Sequence, residues 1–174
     1  LVDLLINRGE QVICIDNLST GNQKNIAHWI DSPYFEFIHH DVVNPLKIKA
    51  NRIWHLACPA SIKKYQKDPI QTSKTNFLGT LNMLQLAKEL NAVFLLTSSS
   101  EIYGNPKEHP QNESYWGNVN PLGIRSCYDE GKRMAESLCF DFARLHKVNI
   151  KVARIFNTYG PRMSPQDGRV ISNF

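Results

Sequence analysis

Cysteine is sparse in this sequence and is not arranged for metal. Cys14, Cys58, Cys127 and Cys139 form no Cys-x-x-Cys pair, and none joins a histidine at zinc spacing. Reduced thiols in a cytosolic protein are the reading that follows. His39-His40-Asp41 resembles a metal cluster, but neighbours on a strand point to opposite faces, so the two imidazoles do not converge on one ion. No metal site is expected. Long apolar runs are lacking too, and no secretory signal pattern occurs. The expectation is a cytoplasmic protein with no membrane partner. Nor does charge of one sign dominate. The 20 basic and 16 acidic residues leave +4 spread along the chain, too little for a nucleic-acid-binding face. Repeats, low-complexity tracts and linkers are absent.

What is present suits one core. The 174 residues are 42% hydrophobic, enough for one domain or part of a larger one. QVICID (11–16), FEFIHHDV (35–42), RIWHLA (52–57), AVFLLTSSS (92–100) and IKVARIFN (150–157) read as strands, the first a β-branched run ending in Asp. Residues 25–30 read as a short helix. A long helix is expected over 69–90, with Ile70, Phe77, Leu81, Leu84 and Leu86 near helical spacing. Another is expected over 128–146, with Met134, Leu138, Phe142 and Leu145 on one stripe. Strands alternating with helices predict an α/β fold with a mostly parallel sheet. In such folds ligands sit beyond the carboxyl ends of the strands. Asp16, Asp41, residues 57–60, residues 98–101 and residues 157–160 all fall there. Residues 104–123, rich in Gly, Pro and Asn, form the longest loop. LVDLLINRGEQ reads as the second half of an amphipathic helix and VISNF as the start of another element, so the chain reads as a fragment cut at both ends.

Two stretches carry chemistry. In SCYDEGKRM (126–134) Tyr128 and Lys132 lie four apart, on one helical face with Cβ atoms roughly 5–6 Å apart. An ammonium there favours the phenolate and lowers a pKa that is ordinarily about 10. A tyrosinate can then act as general base. Taken alone, the spacing also fits an ordinary surface pair. In SSSEIYG (98–104) three serines end a strand, where a hydroxyl can hydrogen-bond a reacting oxygen, and Glu101 follows as a second acid or base. The plain alternative is a polar turn capping a helix. Asp16, at the end of a strand, can accept hydrogen bonds from ribose hydroxyls, which favours NAD over NADP. It reads equally well as a turn cap before NLSTG. The glycine-rich loop that precedes such an acid by about 20 residues is not in the sequence.

The segments IDNLSTG, HHDVVNPL, HLACPAS, SKTNFLGTLNMLQLAK, SSSEIYGNPKEHPQNESYWGNVNPLGIRSCYDEGKR and VARIFNTYGPRMSPQDGRVISNF together resemble the extended short-chain dehydrogenases/reductases that act on nucleotide sugars, the NAD-dependent epimerase/dehydratase group. Within that group the sequence is most similar to the UDP-glucuronate decarboxylases. The resemblance runs over nearly the whole chain. It implies a Rossmann-like, doubly wound, mostly parallel sheet truncated at both ends. Residues 1–174 would be a partial NAD-binding domain, without its first strand, glycine-rich loop and C-terminal substrate domain. It implies Tyr128 as base with Lys132 as partner, Ser99 in place of the catalytic Ser/Thr, and Glu101 as the acidic residue. Asp16 and Asn17 would hold the adenosine ribose, with Ser19, Thr20 and Gly21 close by. Asp41 and Val42 would flank the adenine. Leu56, Ala57, Cys58 and Thr75 would line the cofactor. Lys74, Asn157 and Arg162 would meet the substrate, with Arg162 able to grip a carboxylate or phosphate by two hydrogen bonds.

The implied reaction begins with hydride loss from C4 of UDP-glucuronate to a tightly held NAD. The resulting 4-keto sugar, a β-keto acid, loses carbon dioxide and is reduced back to give UDP-xylose. A homodimer is implied for the full-length protein, and the fragment alone is expected to be inactive. Lys47 stands where relatives often carry an aromatic after Pro-Leu. The alternatives are a 4,6-dehydratase or 4-epimerase on the same scaffold, or an inactive truncated paralogue. Ser100-Glu101, where dehydratases carry Asp-Glu, favours decarboxylation. Among bland readings, Lys63, Lys64 and Lys67 suit a solvated loop face, Cys14 and Cys139 suit a core, and Trp29 and Trp54 suit packing. Tyr115 and Trp116 fit loop anchors and ligand stackers equally.

Overall fold

A computed structural model of the chain describes residues 1–165 and 167–169; VISNF lies outside the described residues. The elements run α1 (Val2–Ile6), β1 (Val12–Asp16), β2 (Phe35–His39), β3 (Arg52–His55), α2 (Ile62–Tyr65), α3 (Pro69–Lys74), α4 (Thr80–Leu90), β4 (Val93–Ser99), α5 (Ser126–His146) and β5 (Ile150–Ile155). Every strand ladder among the described residues is parallel. β1 pairs with β2, and β3-β4-β5 form a second piece in that order. β1 and β3 line opposite sides of a groove of about 980 Å³ with no ladder between them.

The core lies where α4 and α5 cross the three-stranded piece. Met83, Leu84, Leu86 and Ala87 from α4 pack with Phe94 and Leu96 of β4 and with Ala135 and Cys139 of α5. Burying each of the large apolar side chains stabilises the fold by about 1.5–3 kcal/mol. Several expected elements shift at their ends. β2 stops at His39 and β3 at His55, and residues 23–29 form two short 3-10 turns in place of one helix. At β2 the chain turns because Asp41 Oδ1 accepts from the Val43 amide at 3.1 Å, drawing it out of the ladder.

The helix expected over 69–90 is broken into α3 and α4 by a π-helical turn at Thr75–Gly79. A wider turn inserts a residue and rotates everything beyond it around the axis by about a quarter turn or more. The stripe drawn across it therefore fails: Ile70 is 70% exposed and Phe77 is also exposed, whereas Leu84 and Leu86 are buried. α3 itself starts as the sequence suggests, with Asp68 capping the Gln71 amide at 2.9 Å and Pro69 opening the first turn. α5 buries a different stripe from the expected one. Tyr128, Lys132, Ala135 and Cys139 face inward, while Met134 and Leu145 are exposed. The spacing of four, three and four still fits one face; polar residues of the site occupy part of it and displace the apolar stripe sideways.

Gly131 lets α5 approach the π turn. A Cβ there would lie 2.6 Å from Asn76 Nδ2. Asn76, itself buried, donates to Thr72 O at 3.2 Å and Cys127 O at 3.5 Å, pinning the first turn of α5 to this point. His55 sits behind, 5% exposed, with Nε2 3.2 Å from Thr80 Oγ1. Burial, aided by the Lys132 charge, holds its pKa down to about 3. Unfolded histidine takes a proton near pH 6.5, so the stability this group contributes is full above that pH and is lost as pH falls toward 3. Between about pH 6.5 and 5 the loss is about 2 kcal/mol. Thermal denaturation of the full-length protein is expected to show that slope as a difference from His55→Gln, since Asp129, whose raised pKa acts in the opposite direction, contributes equally to both. His55→Gln is expected to flatten it; equal slopes in both proteins would contradict this account.

Candidate active site

The carboxyl end of β4 and the first turns of α5 build the site. Ser98 and Ser99 close β4, and a 3-10 turn over Ser100–Tyr103 follows. Ser99 Oγ accepts from the Glu101 amide at 3.2 Å, which fixes its position and leaves its own proton to donate. Tyr128 is 7% exposed and stacks on Tyr65, ring centroids 5.1 Å apart at 12°. Lys132 Nζ lies 5.8 Å from the Tyr128 ring centroid and donates to Thr97 O at 3.0 Å. These residues and Glu101 line one cavity of about 590 Å³ with Cys58, Asn157 and Arg125.

Lys132 is on the right face, but the phenol pKa is pushed up to about 12, not down. Burial under Tyr65 disfavours the phenolate; a hydrogen bond with Ser99 works against that shift, and the Glu101 and Asp129 charges add to it. Lys132 is itself buried with its pKa lowered, since desolvation penalises the ammonium. Without ligand, therefore, Tyr128 is a neutral phenol at neutral pH.

A second group gathers at the carboxyl ends of β1 and β2. Asp16 Oδ1 accepts from the Leu18 amide at 2.6 Å, and Gly21 packs so tightly that a Cβ would meet the Asp16 carboxylate at 2.9 Å. Asn17 Nδ2 donates to Asp41 Oδ2 at 3.0 Å, and Gln71 Nε2 to the same oxygen at 3.2 Å. The Ser19 amide donates to Asn17 Oδ1 at 3.0 Å, and Thr20 O accepts from Lys64. Val42 is buried against Gly79. Asp16, Val42 and Ala57 line the groove beside β1, and Leu56 lines both that groove and the Tyr128 cavity; Asn17, Ser19, Thr20, Gly21 and Asp41 line neither.

Three residues fall elsewhere. Thr75 lines neither cavity; its hydroxyl donates to Gln71 O at 2.9 Å, so the helix backbone takes its polar group. Lys74 is exposed and lines neither. Arg162 bonds Asp3 and, at 3.0 Å, Asn25 O, on the groove beside α1 and away from Tyr128. Here the carboxylate of Asp3 holds its guanidinium.

Tyr65 and Arg125 were not singled out from the sequence. Tyr65 lies in a lysine-rich stretch that reads as solvated, and only the tertiary fold seats it on Tyr128. Arg125 precedes Tyr128 by three residues, so helical spacing was the available signal. It pairs with Glu101. Of the aromatics left open, Tyr115 anchors the loop by stacking on Tyr103 at 5.9 Å, while the Trp116 side chain is 88% exposed. His39 and His40 bond separate backbone carbonyls, of Asn17 and Asn44. Among the described residues no group of three or more His, Cys, Asp or Glu is placed to hold a metal.

A parallel α/β scaffold with Tyr-x-x-x-Lys opening a helix beside a serine-ended strand defines a Rossmann-like protein of the short-chain dehydrogenase/reductase kind. The family model described as GDP-mannose 4,6 dehydratase matches residues 1–174, and the chain belongs to that family. UDP-glucuronic acid decarboxylase 1 of Arabidopsis thaliana is 60% identical over 174 residues, covering 100% of this chain and 40% of that protein. UDP-glucose 4-epimerase of Thermotoga maritima, solved with UDP-glucose, superposes with a TM-score of 0.83 at 27% identity, over 99% of this chain and 56% of that one. UDP-glucose 4-epimerase of Thermus thermophilus, in complex with NAD, gives 0.76 at 25% identity, over 95% and 53%. The chain thus spans about half the length of the relatives it matches.

Proposed function

We propose that this chain is the NAD-binding part of a UDP-glucuronate decarboxylase that makes UDP-xylose through a 4-keto intermediate. The observation that carries the reading is the convergence of Ser99, Glu101, Tyr128 and Lys132 on one cavity. The 60% identity to a decarboxylase supports the choice of reaction. NAD fits the residues present. An ammonium has three protons to donate, and buried Lys132 has one acceptor among the described residues, Thr97 O, which leaves donors for a ribose. Asp16, Asn17 and Asp41 would hold the adenosine end, and Cys58, Tyr128 and Lys132 the other. When bound, NAD would supply a reversible hydride acceptor and a positive charge that favours the phenolate.

Tyr128 takes the proton of the sugar 4-hydroxyl as the alcohol becomes a ketone, and returns it when the ketone is reduced. Ser99 donates a hydrogen bond to that oxygen. Lys132 favours the phenolate by its charge. Glu101 takes a proton from water and passes it to the carbon that loses carbon dioxide, where the new C–H bond replaces the C–C bond that breaks. Stacking of Tyr65 on Tyr128 keeps water from one face of the base.

The groove between β1 and β3 supports a reading in which a further parallel strand belongs there, supplied by chain beyond these residues. Phe77 and Leu78, exposed on the π turn, and Met134 and Phe140, exposed on α5, support a homodimer of the full-length protein. No helix among the described residues is long and apolar enough to cross a membrane, in keeping with a cytoplasmic place.

The test is incubation of the full-length protein with UDP-glucuronate and no added oxidant, following carbon dioxide and UDP-pentose by mass spectrometry. Stoichiometric release of both is expected. A 4-keto-6-deoxy sugar from a dTDP- or GDP-hexose, with no UDP-pentose, would replace the decarboxylase by a dehydratase.

A further inference from the structure

Arg125 stands between two carboxylates. On the cavity side its Nη2 pairs with Glu101. On the other side its Nε lies 3.9 Å from Asp129 Oδ2, one helical turn away. That second contact is incomplete. Arg125 Nε and Asp129 Oδ1 are both buried without a hydrogen-bond partner, and Asp129 is only 8% exposed. Buried polar atoms are nearly always paired, and leaving one unpaired is costly. A small movement of the guanidinium toward Asp129 would satisfy both atoms, and would withdraw it from Glu101.

We propose that Asp129 is a positioning residue for Glu101, acting through Arg125, which it takes over when Glu101 turns to the substrate. The inference rests on the reading of Glu101 as the proton donor given above. While Arg125 is clamped to Glu101, the carboxylate is tied up in an ion pair. Releasing it without a second seat would strand a half-buried guanidinium. Asp129 supplies that seat one helical turn away, so the guanidinium keeps a carboxylate partner, while Glu101 is freed to take up the proton it passes on.

Asp129 must be ionised for this. Burial raises its pKa to about 6, with Arg125 opposing and Glu101 and Glu130 adding to the rise. The other titratable groups that feel it are Tyr65, Cys127 and Tyr128. As pH falls through about 6, Asp129 becomes neutral, the second seat is lost, and turnover falls.

The experiment uses full-length protein with UDP-glucuronate, reading kcat and KM from pH 5 to 9, together with NAD content and thermal midpoint. Asp129→Asn is expected to lower kcat about tenfold, leave KM within about twofold and NAD content unchanged, and abolish the acid limb near pH 6. Asp129→Glu, which keeps the charge, is expected to restore most of kcat and to move that limb. Wild-type kcat and an unmoved limb in Asp129→Asn would overturn the proposal. If Asp129→Asn does not fold, Asp129→Glu decides, an unmoved limb again overturning it. Glu101→Gln is run in parallel. A large loss there beside a wild-type Asp129→Asn removes this proposal alone, whereas full activity of Glu101→Gln removes the reading of Glu101 on which it rests.

Discussion

Tyr128→Phe in the full-length protein is expected to lose at least a hundredfold, and up to about ten-thousandfold, in kcat, with NAD still bound and KM little changed. General base catalysis contributes factors of that size. The phenol hydroxyl is the atom removed; the ring remains, and with it the stack on Tyr65 and the shape of the cavity wall. The variant is therefore expected to melt close to the wild type. A second reading comes from titration. With its pKa pushed up to about 12 by burial, Tyr128 in the ligand-free protein ionises later than an exposed tyrosine. Burial raises the Tyr65 pKa as well, so ultraviolet absorbance of tyrosinate is expected to show a late-ionising phase that Tyr128→Phe reduces. Activity within tenfold of wild type would take the base role away from Tyr128.

Arg154→Met is expected to destabilise the protein by about 3–5 kcal/mol, because it strands a buried carboxylate. Glu136, 6% exposed on α5, accepts from Arg154 Nη2 at 2.9 Å and Nε at 3.1 Å, and from Ser98 Oγ at 2.5 Å. The guanidinium also donates to the Tyr103 hydroxyl at 2.9 Å and Glu113 O at 2.8 Å, and stands 5.3 Å over the Tyr103 ring. The Arg154–Glu136 pair thus ties β4, β5, α5 and the long loop together. At a few degrees per kcal/mol for chains of this size, the thermal midpoint is expected to fall by about 10 °C or more. The double variant Arg154→Met with Glu136→Leu is expected to lose less than the sum of its singles, since it leaves no unpaired charge. Additive losses would mean the pair does not act as a unit. Ser98 neighbours Ser99, so the single variant is also expected to loosen the site.

Both results bear on how much the residues announce in order. The strands were legible because β-branched runs such as VICID and IKVARI leave little else to form. Ser99, Glu101, Tyr128 and Lys132 were legible because a strand end and a helical spacing of four each act over a few residues. The π turn was not: its extra residue is set by packing of Asn76 against α5, and it turned Ile70 outward. The pairs Arg125–Glu101 and Arg154–Tyr103, 24 and 51 residues apart, leave no periodic trace, nor does the seating of Tyr65 on Tyr128. Spacing alone led to a lowered Tyr128 pKa, whereas burial raised it, because desolvation depends on everything around the ring and not on one neighbour. Arg162 met Asp3, 159 residues earlier, on the groove beside α1 rather than in the Tyr128 cavity, for the same kind of reason. Local sequence therefore determined which elements form and which side chains stand at their ends. The tertiary structure alone decided which charges meet, which groups lose water, and hence what state each candidate site residue is in, because those depend on distances through space that no local pattern encodes.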